Sequence, residues 1–122
     1  MKSTKVKIGN LEFHARLAGK DYVPIEKRLN ESIHNVVFGY KMDEDSMNVP
    51  PMGKMIVILS GTCKTSNISE RKIALAIENL IETGKGTKYD VYEQMMQILN
   101  DSGFFGQTEE SEETMEPQLE LL

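Results

Sequence analysis

A chain of 122 residues that is 39% hydrophobic and 27% charged holds one core of ordinary soluble composition, without room for two independent ones. No apolar run approaches the roughly 20 residues that a membrane span needs, and the single cysteine, Cys63, excludes an internal disulfide and suits a reducing cytoplasm. The net charge is −5; six of the 19 acidic residues fall within 107–122, which has no basic residue, so residues 1–106 keep 14 basic against 13 acidic groups, a net +1 without a Lys/Arg stripe, which counts against nucleic acid as the main partner.

The first residues are basic, but they lead into an alternation rather than an apolar block, so no secretory signal is expected. Val6 and Ile8 alternate with Lys5 and Lys7; Leu11, Phe13, Ala15 and Leu17 alternate with Glu12, His14 and Arg16. Period two on both sides of Gly9-Asn10 predicts a hairpin over 4–17, with Gly at the first central position of a type II′ turn. A two-residue loop pairs Ile8 with Leu11 and Val6 with Phe13, which puts all four on one face. A lone hairpin is only marginally stable, so that face must rest on helices downstream.

Helices follow. Asp21 is a candidate cap for a helix over about 21–30, with Pro24 in its first turn, Tyr22, Ile25 and Leu29 on one face, and Asn30 at its end. Residues 32–38 read as a turn or two of helix, with a strand through Val36-Val37-Phe38 as the alternative. Residues 39–49 are a polar loop ending at two prolines. From Met52, the residues Met55, Ile56, Leu59 and Cys63 keep helical spacing, which favours a helix over 51–64, although Ile56-Val57-Ile58 is also compatible with a buried strand. Ser69 caps a helix over 69–83 whose stripe is Ile73, Ala76, Ile77, Leu80 and Ile81, ended by Gly84. Thr87 and Asp90 form a capping box for a helix over 87–102 with the stripe Val91, Tyr92, Met95, Ile98 and Leu99, stopped at Gly103. Two helices so linked are expected side by side.

The fold class expected is therefore α+β and mostly helical: a two-stranded antiparallel hairpin packed on a bundle of about four helices, as one domain over 1–106. Residues 107–122 are acidic, contain Pro117 and bury too little to offset ordering entropy, so a disordered tail is expected. Its end, Leu119-Glu120-Leu121-Leu122, reads as a frayed terminus more readily than as a docking patch.

Chemistry is sparse. His14, His34 and Cys63 lack zinc-site spacing. Ser60-Gly61-Thr62-Cys63 has no base partner to make a nucleophile. Asp43-Glu44-Asp45 lacks the central Gly and closing Glu of a calcium loop. Gly84-Lys85-Gly86-Thr87 follows a helix, where a phosphate loop needs a strand and longer spacing. No metal, cofactor or catalytic role is expected. Methionine is the unusual component: Met52, Met55, Met95 and Met96 on two helices suit a core by default and an adaptable binding face as the alternative. Phe104 and Phe105, just past the last helix stop, either pack back on the core or are presented to a partner.

The order of parts carries a resemblance. Ile8-Gly9-Asn10-Leu11-Glu12-Phe13 comes first, then Ile25-Glu26-Lys27-Arg28-Leu29-Asn30, an apolar helix, Ile68-Ser69 opening a helix that ends in Glu82-Thr83-Gly84, and Ser102-Gly103-Phe104-Phe105-Gly106 before a charged tail. Over residues 4–106 this resembles the tail assembly chaperones of long-tailed, siphovirus-type bacteriophages and prophages, the type encoded beside the tape-measure protein. It departs at Asn30, where Gly is commoner, and in a longer loop at 39–51. The resemblance implies a non-enzymatic protein that coats the tape-measure protein, recruits tail-tube subunits in the bacterial host cytoplasm, and is absent from the mature virion. It leaves self-association possible and implies neither nucleic acid nor membrane as partner. The partner contacts expected are Phe104, Phe105, Met95, Met96, Met52 and Met55. The alternative is a small phage-encoded regulator that binds a host protein or a signalling nucleotide, on the strength of the acidic chain and its Met-bearing face.

Overall fold

The structure is a computed structural model that describes residues 3–39 and 49–106. The tail expected over 107–122 and most of the loop expected over 39–49 lie outside the described residues. Strands β1 (Thr4–Ile8) and β2 (Leu11–Ala15) form an antiparallel hairpin. Its register pairs Val6 with Phe13 and Ile8 with Leu11, which is the pairing that a two-residue loop dictates. Gly9 takes φ +62°, the left-handed value that the first central position of this turn requires. Val6, Ile8, Phe13 and Ala15 are buried while Lys5, Lys7, Glu12 and His14 face out.

Five α-helices follow among the described residues: α1 (Tyr22–Leu29), α2 (Ile33–Phe38), α3 (Met52–Thr62), α4 (Glu70–Glu82) and α5 (Lys88–Asp101). The fold is α+β and mostly helical, and both stretches with a strand alternative, 32–38 and 52–64, are helical. The short α2 is capped by Ser32, whose hydroxyl accepts from Asn35 N at 2.9 Å, and Ile33, Val36 and Val37 point into the core. For α3, tertiary packing overrides the strand preference of three β-branched residues.

Helix ends follow local chemistry. Ser69 Oγ accepts from Lys72 N at 3.1 Å. Thr87 N donates to Asp90 Oδ2 at 2.7 Å, and Thr87 Oγ1 accepts from Tyr89 N at 3.2 Å, so the capping box forms with Asp in the Glu position. At the end of α5, Gly103 sits at φ +84°; its N–H donates to Asn100 O and Phe104 N donates to Leu99 O, the paired bonds of a Schellman closure. α4 ends in the same way at Gly84, with Lys85 N donating to Leu80 O. Asn30 closes α1 in the left-handed region, at φ +61°. Asp21 does not cap α1. Its Oδ2 instead accepts from Ala18 N at 2.8 Å and from Lys64 Nζ at 2.7 Å, because the 3-10 turn Gly19–Asp21 points the carboxylate back towards the segment after α3.

α3 lies at the centre and packs against α1, α4 and α5; β1 rests on α5 and α4. The hairpin's apolar face thus finds the helices it needs. α4 and α5, expected side by side, instead pack chiefly on α3 and β1 and only sparsely on each other. β2 gains a further partner, because Lys64 N donates to His14 O at 2.7 Å and Arg16 N to Thr62 O at 2.9 Å, which ties the segment after α3 to the strand.

Two stripes differ from the spacing-based expectation. The buried residues of α3 are Met55, Ile58, Leu59 and Thr62, whereas Ile56 and Cys63 are half-buried. A helix that is apolar nearly all round does not specify its inner face by pattern alone. In α4, Ile73 and Ile77 are buried but Ile81 is 44% exposed, because the last turn runs past the edge of the core.

Candidate functional site

The six expected contact residues separate into two groups. Met55 and Met95 are fully buried, at 0% exposure, so they are core residues and not partner contacts. The reason is positional: each lies on the inner stripe of its helix, and α3 and α5 pack against each other there. Met52, half-buried at the start of α3, packs on the core edge. Met96, Phe104 and Phe105 reach the surface, Met96 and Phe104 half-buried and Phe105 40% exposed.

Phe104 and Phe105 do both things that the sequence left open. The Schellman closure turns the chain back over the end of α5, so Phe104 lies half-buried against the core while Phe105 faces out. Their rings meet edge to face, 5.1 Å apart at 86°. Phe104 also stacks on Tyr22 of α1, with centroids 6.4 Å apart, and lies 6.1 Å from the His34 ring of α2. His34 sits 4.6 Å from Phe38, and Phe38 meets Phe105 edge to face at 5.9 Å. Five aromatic rings from three separate segments thus form one continuous cluster at one end of the molecule. Phe38 is 48% exposed and His34 is exposed as well.

A shallow groove of about 440 Å³ runs from Phe105 along α5, lined by Tyr92, Met96, Asn100, Gln97 and Glu93. The exposed rings and the groove share Phe105. Offset and edge-to-face pairs add about 0.5–1.5 kcal/mol each beyond area burial, which favours holding these rings in fixed positions rather than as independent rotors.

The elements that carry the cluster are tied in place by polar contacts. Thr4 Oγ1 donates to Asp101 Oδ2 at 2.7 Å, Lys7 N donates to Gln94 Oε1 at 3.2 Å, and Leu17 N donates to Ser102 Oγ at 2.9 Å; together they lock the hairpin to α5. α1 is held by Asp21–Lys64 at its start and by Arg28–Glu70 at its end. In the latter, Arg28 donates two parallel bonds to the two Glu70 oxygens, at 2.6 and 3.1 Å, and Ser60 Oγ donates to Glu70 Oε1 at 3.2 Å. The Arg28 bonds above all, then the opposite charge of Arg28 and last the Ser60 bond, lower the Glu70 carboxyl from its ordinary value against the opposing effect of burial. Reciprocally, the hydrogen bond and charge of Glu70 raise Arg28. Lys54 bridges Glu31 and Leu29 O, which fixes the end of α1 against α3.

Of the other residues weighed for chemistry, His14 is exposed on the outer face of β2 and Cys63 Sγ lies 3.5 Å from Thr65 O. Among the described residues no group of three or more His, Cys, Asp or Glu side chains could hold a metal ion. Tyr22, His34 and Phe38 are the cluster members that sequence reasoning missed. Their only linear signal is an aromatic ring in each of two short segments, one in α1 and two in α2; their meeting with Phe104 and Phe105 depends on how α1, α2 and the turn after α5 pack.

The fold and this surface define a small, mostly helical α+β domain with an exposed aromatic end. Among its described residues no helix is long and apolar enough to cross a membrane. The chain belongs to the family of unknown function DUF6096, whose model matches residues 1–118. No curated protein and no solved structure matches it.

Proposed function

We propose that this chain is a non-enzymatic phage tail assembly chaperone, which binds the tape-measure protein and recruits tail-tube subunits in the cytoplasm of the bacterial host and stays out of the finished virion. The observation that carries the binding part is the aromatic end. Phe38 and Phe105 touch each other, are each nearly half exposed, and continue into the groove over Met96. A contiguous apolar patch rimmed by polar residues is the surface signature of a protein-binding site, and clustered aromatics are the side chains that most often dominate such sites. The identity of the partners rests on the order of segments from the Ile8–Phe13 hairpin to the Ser102–Gly106 closure.

The test is co-expression with the tape-measure protein that this reading pairs with the chain. The chaperone reading expects that protein to become soluble and to co-purify with the chain, and expects Phe38→Ser combined with Phe105→Ser to lose the complex. If its solubility is unchanged and no complex forms with the wild-type chain, the reading fails.

A further inference from the structure

The outer face of α4 carries its charges in the order that the helix itself disfavours. At about 100° per residue, Arg71, Lys72, Glu78, Asn79 and Glu82 all fall within about 60° of Leu75, and all six side chains are exposed. Arg71 and Lys72 stand in the first turn, where the helix dipole is positive. Glu82 stands in the last turn, where the dipole is negative, and Glu78 one turn before it. These placements are mildly destabilising, and the fold does not relieve them. Arg71, Glu78 and Glu82 take part in no ion pair among the described residues, and Lys72 Nζ turns back to Asn67 O at 2.9 Å. Glu70, the acidic residue of the first turn, is already engaged by Arg28 and Ser60. A local rule broken at both ends of one face, with no gain inside the fold, marks a surface whose use lies outside it. Between the charged ends sits Leu75, 49% exposed. It lies beside a shallow cavity of about 370 Å³, which Leu75 and Ala76 share with Asn10 and Leu11 of the hairpin.

We propose that this face pairs with the same face of a second copy of the chain, the two α4 helices running antiparallel about a two-fold axis near the middle of α4. Such an axis makes the contact self-complementary. Reversal of direction sets Arg71 and Lys72 of each copy against Glu78 and Glu82 of the other, so the pairing forms twice and the two helix dipoles oppose each other. The two Leu75 side chains and the apolar wall of the cavity fill the middle. A parallel pair would set like charge on like charge at both ends, so direction is selected together with partner. α4 has 13 residues and is about 20 Å long. One helix face of that length falls short of the roughly 800 Å² per partner of a stable interface, so the dimer is weak, with a Kd between about 10 μM and 1 mM. The aromatic end is built from α1, α2 and the turn after α5, so the pairing of α4 does not depend on the protein-binding reading above.

The experiment is sedimentation equilibrium of the full chain from about 10 μM to about 2 mM, at low and high salt. The wild type is expected to dimerise as concentration rises, and several-fold less tightly at high salt. Arg71→Glu with Lys72→Glu, and separately Glu78→Lys with Glu82→Lys, should each stay monomeric, because the charges that meet across the axis become alike. An equimolar mixture of the two variants should dimerise at least as tightly as the wild type. Leu75→Ser should weaken the wild-type dimer roughly tenfold. Each charge variant also brings its helix end into accord with the dipole, so its thermal midpoint in dilute solution should be no lower than that of the wild type. Loss of the dimer at a retained midpoint is then not loss of the fold. Phe38→Ser with Phe105→Ser should leave the dimer intact, and its loss there would overturn the placement on α4. A wild-type chain that stays monomeric throughout overturns the inference. So does a dimer that both charge variants retain, and so does a mixture of the two that stays monomeric.

Discussion

Gly53 and Gly61 both lie in α3, and the same change to alanine is expected to move stability in opposite directions. A Cβ added at Gly53 meets nothing within 4 Å. The substitution there acts mainly by restricting the unfolded chain and by helix propensity, worth about 0.5–1 kcal/mol in favour of alanine, at the low end in a first turn. At Gly61 the same methyl would lie 2.7 Å from Ile25 Cδ1 and closer still to Cγ1. Ile25 is buried, and Cγ1 is bonded to the branching carbon, so a swing of the terminal methyl does not clear the overlap. Overpacking of this kind costs about 1–3 kcal/mol, against a helix gain of up to about 1 kcal/mol. The close approach of the stem places the cost in the upper part of that range, for a net loss of about 1–2 kcal/mol. One kcal/mol moves the midpoint of a domain this size by about 4–8 °C. Thermal and urea unfolding followed by circular dichroism should therefore place Gly53→Ala a few degrees above the wild type and Gly61→Ala clearly below it. Ile25→Ala, which opens room for the new methyl, should couple favourably with Gly61→Ala by at least about 0.5 kcal/mol in a double-mutant cycle. A Gly61→Ala protein that melts at or above the wild type would refute the close crossing of α1 over α3.

Met95→Ala is expected to cost about 2–5 kcal/mol, because Met95 is fully buried, whereas Met96→Ala, at a half-buried position on the core's edge, should cost clearly less stability in urea unfolding and weaken partner binding instead. Asp21→Ala removes the acceptor of both Ala18 N and Lys64 Nζ and should cost about 1–3 kcal/mol in urea unfolding, more than Glu12→Ala on the outer face of the hairpin. The Arg28–Glu70 pair gives a pH signature. Since the Glu70 carboxyl is held below its ordinary value in the folded protein, its contribution is fully present above about pH 5 and is lost as pH falls through the depressed folded value. Both side chains are around half exposed, so the gap between wild type and Arg28→Gln should be at most about 1 kcal/mol at neutral pH and should vanish in acid; a gap that grows on acidification would refute the assignment.

How much of this was legible in one dimension differs by element. The hairpin is a local object: alternation fixes its faces, a Gly at φ +62° permits its turn, and a two-residue loop leaves only one register. The ends of α4 and α5 are local too, because Ser69, Thr87, Gly84 and Gly103 act within a few residues of themselves. Their stripes are strongly one-sided, so the buried face of α5 follows directly from spacing. α3 is different. Its apolar residues run nearly all round, and the choice of Met55, Ile58, Leu59 and Thr62 as the inner face was made by the three helices packed against it. Burial at those faces makes Met55 and Met95 core residues, Met95 on the stripe that spacing already gave α5.

By itself, then, the sequence determined what depends on short range: the hairpin and its register, the helices over 69–83 and 87–102 with their ends, and that an uneven charge distribution follows Phe105; it left 32–38 and 52–64 open between helix and strand. Tertiary structure alone decided which segments meet. Tyr22, His34, Phe38, Phe104 and Phe105 come from three places in the chain, and no periodicity links them. They form one surface because α1, α2 and the Schellman turn after α5 are each held to the core by long-range contacts, such as Asp21–Lys64 and Leu17–Ser102. Local propensity is a property of neighbours along the chain, whereas a binding surface is a property of neighbours in space, and only the packed core specifies the second.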